Sequence, residues 1–230
     1  MNGIILVDKP QGWTSFDVVA KIRGDLRRIT GNKKIKVGHA GTLDPMATGL
    51  LIVLVGIMTK QQDSYMKKDK VYEAEVTLGA RSDTDDAEGV VVSTGYEVRG
   101  TKIEIEKQIE EALRSFIGEI EQMPPQYSAI KLSGQKAYDI ARRGETAELK
   151  VRKVTIYSIE NIDVRNNKIS FKCRVSSGTY IRSIARDLGE SLGCGGYLSS
   201  LRRTSIGDYD VAKALAVSQL TDETLQKALQ

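Results

Sequence analysis

One histidine, two cysteines, four prolines, one tryptophan and three phenylalanines in 230 residues set narrow limits. His39 stands alone, and Cys173 and Cys194 are too far apart for a pair at ligand spacing, so a structural zinc site is not expected. A disulfide framework is not expected either, because Cys173 alternates with Ile169, Phe171 and Val175 as a reduced core residue of a strand would. No glycine-rich loop ending in Lys-Ser/Thr offers a nucleotide cradle. The chemistry is therefore expected to use no metal and no cofactor. No apolar run approaches the length of a membrane span: residues 4–7 are cut short by Asp8 and Lys9. The expectation is a cytoplasmic protein without a membrane partner.

Charge of one sign is also nearly absent from the sum, a formal +4, so its distribution carries more information. Between Lys21 and Lys36 seven basic residues stand against the single acid Asp25. Residues 131–153 are again basic, whereas Glu104, Glu106, Glu110, Glu111, Glu119 and Glu121 carry the opposite sign. An acidic side with basic stretches elsewhere suits a polyanion binder, although a single charge run usually marks a solvated helix face.

What the sequence does contain is an organising stretch at 36–50, Lys-Val-Gly-His39-Ala-Gly41-Thr-Leu-Asp44-Pro45-Met-Ala-Thr48-Gly49-Leu50, running into the apolar residues 51–55. Gly38, Gly41, Gly49 and Pro45 surround one carboxylate immediately before a buried strand. Pro45 pushes Asp44 toward extended backbone, and the glycines permit close approach of another backbone or a ligand. Asp-Pro is also a common turn initiator, so spacing alone leaves the loop's role open.

Around this loop the pattern predicts an α+β fold. Strands are expected near 3–8, 50–55, 71–78, 150–164, 168–176 and 196–206, with a hairpin through Asn166-Asn167. A helix over 15–29 follows Thr14 as N-cap, with Phe16, Val19, Ile22, Leu26 and Ile29 inward. A short polar helix is placed near 57–66. Thr101 and Glu104 form a capping box opening a helix to about residue 117. A further helix spans 179–192 with Ile181, Ile184, Ala185 and Leu188 inward, and a last one begins after Thr221. The acid-rich 82–89 segment reads as a loop. After Pro124-Pro125 the chain turns polar, basic and glycine-punctuated through residues 123–150, an excursion from the core.

The motif His39-Ala-Gly-Thr-Leu-Asp44-Pro-Met-Ala-Thr-Gly49-Leu closely resembles the catalytic loop of TruB-type tRNA pseudouridine synthases. Lys9-Pro-Gln-Gly12-Trp-Thr-Ser15, Lys70-Val-Tyr72, Pro124-Pro-Gln-Tyr-Ser128-Ala-Ile-Lys131, Gly178-Thr-Tyr180-Ile-Arg182 and Leu201-Arg202-Arg203 follow in that family's order. The resemblance implies the pseudouridine-synthase fold, a mixed, largely antiparallel sheet flanked by helices with a catalytic cleft. It implies one catalytic domain over 1–230, with a thumb-like insertion at about 123–150 and without the separate C-terminal RNA-binding domain of typical bacterial members. Ala40 stands where many relatives have threonine.

For function, the resemblance implies isomerisation of uridine 55 in the T arm of tRNA by a monomer that needs no guide RNA. It assigns catalysis to Asp44, Tyr72 and Arg182 and substrate binding to His39, Tyr72, Tyr180 and Leu201, while Lys9, Lys131 and Arg202 are candidate RNA backbone contacts by their charge, with plain exposed surface charge as the alternative. The helix over 179–192 adds a physical argument: a first-turn arginine is disfavoured by roughly 0.3–1 kcal/mol unless an anion compensates it. The family pattern names Asp44 as that anion. The competing readings are a non-catalytic tRNA-binding chaperone of the same fold, a synthase acting on another RNA, and a glycoside hydrolase, which would need a second acid that no matched motif supplies.

Overall fold

The computed structural model describes residues 1–132 and 134–229; Ser133, inside the expected excursion, and Gln230 lie outside the described residues. The chain runs β1 (Gly3–Lys9), α1 (Ser15–Thr30), β2 (Val37–His39), β3 (Thr48–Val55), a 3₁₀ turn, α2 (Gln62–Met66), β4 (Lys70–Leu78), β5 (Ala80–Ser82) and β6 (Val91–Ser93). It continues through α3 (Lys102–Ser115), β7 (Gly118–Gln122), β8 (Lys131–Leu132), β9 (Gln135–Lys136), α4 (Ala137–Arg142), β10 (Arg152–Arg165), β11 (Lys168–Val175) and α5 (Ile181–Ser191). β12 (Gly196–Ile206), β13 (Tyr209–Asp210), β14 (Leu215–Ala216) and α6 (Asp222–Ala228) complete it. The architecture is α+β, and most strand pairs are antiparallel, with β1–β14 and β3–β12 the parallel exceptions among the described registers. Two units divide the chain: Met1–Glu73 with Leu201–Gln230, and Ala74–Ser200.

In the first unit β3 pairs antiparallel with β1 over residues 49–55, Gly3 opposite Val55 and Lys9 opposite Gly49. Both faces of β3 are covered, which is why its sequence is a continuous apolar run and not an alternation. Leu51, Val53 and Val55 join Ile5 and Val7 under α1 and α6, against Val18, Val19, Ile22, Leu26 and Leu225. Leu50, Ile52 and Leu54 face the other way, onto Ala40, Tyr65 and Ile206. Burial of each such side chain contributes about 1.5–3 kcal/mol toward the stability of this unit.

α1 begins where its sequence says, with Thr14 and Asp17 capping each other reciprocally and Gly31 closing the end in the left-handed region. Its inner face corrects the expectation. Phe16 is 61% exposed and lies under the Arg23 guanidinium, while Ser15 and Val18 are buried. Positions 15, 18, 19, 22 and 26 form one helical face, and Ser15 holds the first place on it because its hydroxyl is engaged in the interior.

In the second unit β11 pairs with β10 and β10 with β7, all antiparallel. The β10–β11 turn places Asn166 at φ 58°, as the Asn-Asn signal predicts. Ile169, Phe171, Cys173 and Val175 are buried on one strand face, and both cysteines are free thiols. β7 is absent from the sequence-based expectation, because Glu119 and Glu121 alternate on an exposed side and disguise the strand as a charged connector. α3 packs on β10 and α5. At Gly189 of α5 a Cβ would lie 2.0 Å from the Gly196 nitrogen, so only glycine lets the helix rest directly on the start of β12.

Lys70, buried at the start of β4, donates its ammonium protons to the Met66 and Lys68 carbonyls. Burial, with help from the Arg203 charge and against Asp69, lowers its pKa to about 8. Its unfolded value is the ordinary 10.5. Between those values the unfolded chain binds more protons, so stability rises with pH; below about 8 the cost of the buried charge is fully present. Urea unfolding from pH 7 to 10 should therefore show wild type gaining relative to Lys70→Met above pH 8. Parallel curves would mean that Lys70 titrates as an exposed lysine does.

Candidate active site

In the first unit the loop between β2 and β3 carries Asp44, half-buried, and several backbone groups around it are tied down. The Ser15 hydroxyl accepts from the Leu43 N–H at 2.8 Å and donates to the Leu43 carbonyl at 3.1 Å. The Pro45 carbonyl accepts from the Gly12 N–H at 2.8 Å and from Lys9 Nζ at 3.3 Å. The Ala47 N–H closes a turn onto the Asp44 carbonyl at 3.1 Å. On the far shoulder the Arg203 guanidinium donates to the carbonyls of Gly41, Thr42 and Leu50, at 3.1, 3.3 and 2.8 Å. Loop carbonyls that would otherwise need water are thus held by buried donors, and the carboxylate between them has a fixed base.

Gly49 is the point of closest backbone approach in this arrangement. It sits at φ 102°, paired across from Arg203, and a Cβ there would lie 2.2 Å from the Arg203 carbonyl oxygen. Both the steric exclusion and the positive φ require glycine.

The predicted site residues of this unit fall into three groups. Lys9 corrects the expectation of a backbone-phosphate contact: it is fully buried, and its ammonium also donates to the Pro10 and Trp13 carbonyls at 3.0 and 2.6 Å. An ammonium so placed supports the loop from inside. Arg202 holds Asp8 through both Nη atoms, at 3.0 and 2.7 Å, and this hydrogen-bonded pairing raises its pKa. Tyr72 and Leu201 are buried. His39 is half-buried, its Nδ1 without a hydrogen-bond partner among the described residues, and burial followed by the Arg203 charge lowers its pKa, so it is neutral at pH 7.

The second unit holds Tyr180, Arg182 and the exposed Lys131. Tyr180 is the N-cap of α5; its N–H donates to the buried Gln122 side chain at 2.8 Å, and its carbonyl accepts from the same amide at 3.1 Å. Arg182, 5% exposed, occupies the first turn of α5 as expected. It reaches the Asp86 carboxylate at 3.4 Å and donates to the carbonyls of Thr84 and Tyr127 at 3.2 and 2.9 Å. Asp86 is buried and also accepts from the Thr84 hydroxyl and the Glu88 N–H, at 2.6 and 3.0 Å. The demand for an anion beside a first-turn arginine was legible; Asp86 as one such anion was not, since nothing in Asp83-Thr-Asp85-Asp86-Ala-Glu88 distinguishes the inward carboxylate. Among the described residues no three His, Cys, Asp or Glu side chains converge as metal ligands would, and no helix is long and apolar enough to cross a membrane.

Residues 27–181 match the family model described as TruB family pseudouridylate synthase (N terminal domain), and residues 182–230 match that of the tRNA pseudouridylate synthase B C-terminal domain. The chain belongs to the TruB family. A TruB relative from Clostridium kluyveri, named tRNA pseudouridine synthase B, is 46% identical over 227 residues, covering 99% of this chain and 75% of the relative. One of the same name from Chlorobaculum tepidum is 46% identical over 225 residues, covering 97% and 91%. Among solved structures the chain superposes with a TM-score of 0.70 and 28% identity on a chain of a Cbf5-Nop10-Gar1 complex, covering 99% of itself and 59% of that chain. An archaeal box H/ACA Nop10-Cbf5 complex gives 0.67 and 26%, also covering 59% of its partner in the comparison. The TruB fold is therefore shared with proteins that extend well beyond the matched region.

Lys9→Met should lower the unfolding free energy by about 1–3 kcal/mol, because three carbonyls lose their buried donor. A surface lysine would change it by less than about 0.5 kcal/mol. Thermal or urea unfolding of the variant without RNA distinguishes the two.

Proposed function

We propose that the chain converts uridine to pseudouridine at position 55 in the T loop of tRNA, with Asp44 as the catalytic carboxylate. The supporting observation is the Asp44 loop itself, whose carbonyls on either side of one carboxylate are anchored to buried donors. The names of the curated relatives supply the substrate class.

The reaction neither gains nor loses atoms. The N1–C1′ bond breaks, the uracil turns, C5 bonds to C1′, the proton on C5 leaves to water and N1 takes one up. Asp44 acts as nucleophile or base on the uridine. Arg182 is the cation assigned to keep Asp44 ionised, and its burial in the first turn of α5 suits a guanidinium that serves carboxylates and not solvent. The target nucleotide must leave the folded loop, at roughly a few kcal/mol, with Tyr72 stacking on the ring and His39, Tyr180 and Leu201 lining its place. A neutral His39 suits displacement of a base without competing for a phosphate.

RNA contact is assigned to Lys131, Arg202 and the segment 123–150 as a thumb within a single catalytic domain acting as a monomer on the T arm without a guide. In that segment Tyr138 has Lys136 and Arg142 over its ring, at 5.4 and 5.1 Å, a basic and aromatic surface of the kind that single-stranded nucleic acid engages.

The test is release of tritium from tRNA labelled at uridine C5. Asp44→Asn should reduce single-turnover release by about 10³-fold while changing RNA affinity less than about threefold, since phosphate contacts dominate binding. Residual release near the wild-type rate would remove Asp44 from the chemistry.

A further inference from the structure

One turn beyond Arg182 on the same face of α5 lies Arg186, which the matched motifs do not include and the mechanism does not use. Its guanidinium donates to the Asp85 carboxylate at 3.0 Å, to the Asp187 carboxylate at 2.8 and 3.0 Å, and to the Met123 carbonyl at 2.9 Å. Asp85 is the immediate neighbour of Asp86, so two adjacent aspartates meet two arginines spaced by one helical turn. Asp85 also sits at φ 61°, a left-handed conformation uncommon for residues other than glycine, though aspartate adopts it more readily than most. Its backbone is fastened on both sides, the N–H to the Ser82 carbonyl at 3.1 Å and the carbonyl by the Leu198 N–H at 3.0 Å.

The other end of Arg186 reaches Met123, immediately before Pro124-Pro125, where the 123–150 segment leaves β7. The Ser183 hydroxyl donates to the same Met123 carbonyl at 2.8 Å, and Arg182 donates to Tyr127 in the same segment. The 83–86 loop and the root of the segment therefore share one anchor on α5.

We propose that Arg186 and Asp85 are positioning residues for Arg182: their ion pair sets the left-handed turn that presents Asp86 and the Thr84 carbonyl to the Arg182 guanidinium, and the same guanidinium fixes where the 123–150 segment begins. The proposal rests on Arg182 serving the reaction, as assigned above, but its geometric core does not. An arginine is required at 186 because a fork reaches a carboxylate and a carbonyl in different directions, which a lysine's single ammonium does not reproduce. Asp85 is 16% exposed at its side chain and Arg186 22%, so the pair is shielded enough for its geometry to matter.

The experiment uses the full chain with Arg186→Gln, Asp85→Asn, the double variant and Arg186→Lys. Asparagine tolerates the left-handed region, so Asp85→Asn removes charge while leaving the turn accessible. Two readouts are taken. The first, without RNA, is the guanidinium ¹⁵N spectrum of Arg182, assigned by its loss in Arg182→Lys: shifted or broadened Arg182 signals in Arg186→Gln and Asp85→Asn are expected. The second is single-turnover tritium release: about a tenfold loss in each single variant, no further loss in the double variant, RNA affinity within threefold, and partial recovery in Arg186→Lys. Unchanged Arg182 signals, or losses that multiply in the double variant, overturn the proposal. A wild-type chain that releases no tritium refutes the proposed function, and the spectroscopic comparison then still decides the positioning role.

Discussion

A buried guanidinium surrounded by backbone carbonyls is the constraint from which the Asp44 loop follows. Arg203 is 1% exposed and serves Gly41, Thr42 and Leu50. A hydrogen bond to a charged group contributes about 1.5–3 kcal/mol, and three of them approach the several kcal/mol that desolvating the cation costs. The net stabilisation is therefore small, and what the arrangement secures is position. Because the planar fork has fixed directions, the carbonyls before Asp44 and the carbonyl where β3 enters the core are held at set distances from each other. Gly49 is the counterpart in the backbone, since any side chain there would push β12 and its arginine away.

The fold was legible where burial and local chemistry agree. Thr14 with Asp17 and Thr101 with Glu104 specify helix starts through hydrogen bonds that need no tertiary context, and the structure contains both boxes. β12 appears at 196–206 as its pattern predicts. Phe16 departs from its pattern because hydrophobicity alone does not decide the inner face of α1: Ser15 occupies that face through hydrogen bonds to a loop 28 residues away, which no periodicity encodes. β7 was missed for the opposite reason, its acidic residues all lying on the side that never meets the core.

The site was legible unevenly, and the division follows charge. Glycines and a proline around Asp44 announce a shaped loop because their backbone limits are intrinsic. Lys9 could not be placed, since lysine is almost never fully buried and the three carbonyls that pay for its desolvation come together only in the folded chain. Arg182 was predicted to need an anion from its place in a helix, a local argument. Asp85 and Asp86 were invisible because a run of acids looks like solvent-facing loop until a helix lays two arginines across it.

The two units thus use buried cations in different ways, with different electrostatic results. In the second, Arg182 and Arg186 face carboxylates, so their fields are largely cancelled where they arise. In the first, Arg203 faces neutral carbonyls, and its charge reaches outward. The neighbours register this: His39 and Lys70 are both pushed toward their neutral forms, by burial first and by Arg203 next. A field that strips protons from bases also favours any anion brought into its range, whether a carboxylate of the protein or a phosphate of a ligand. Carbonyls are therefore the ligands that fix the loop's geometry and leave its surroundings positive.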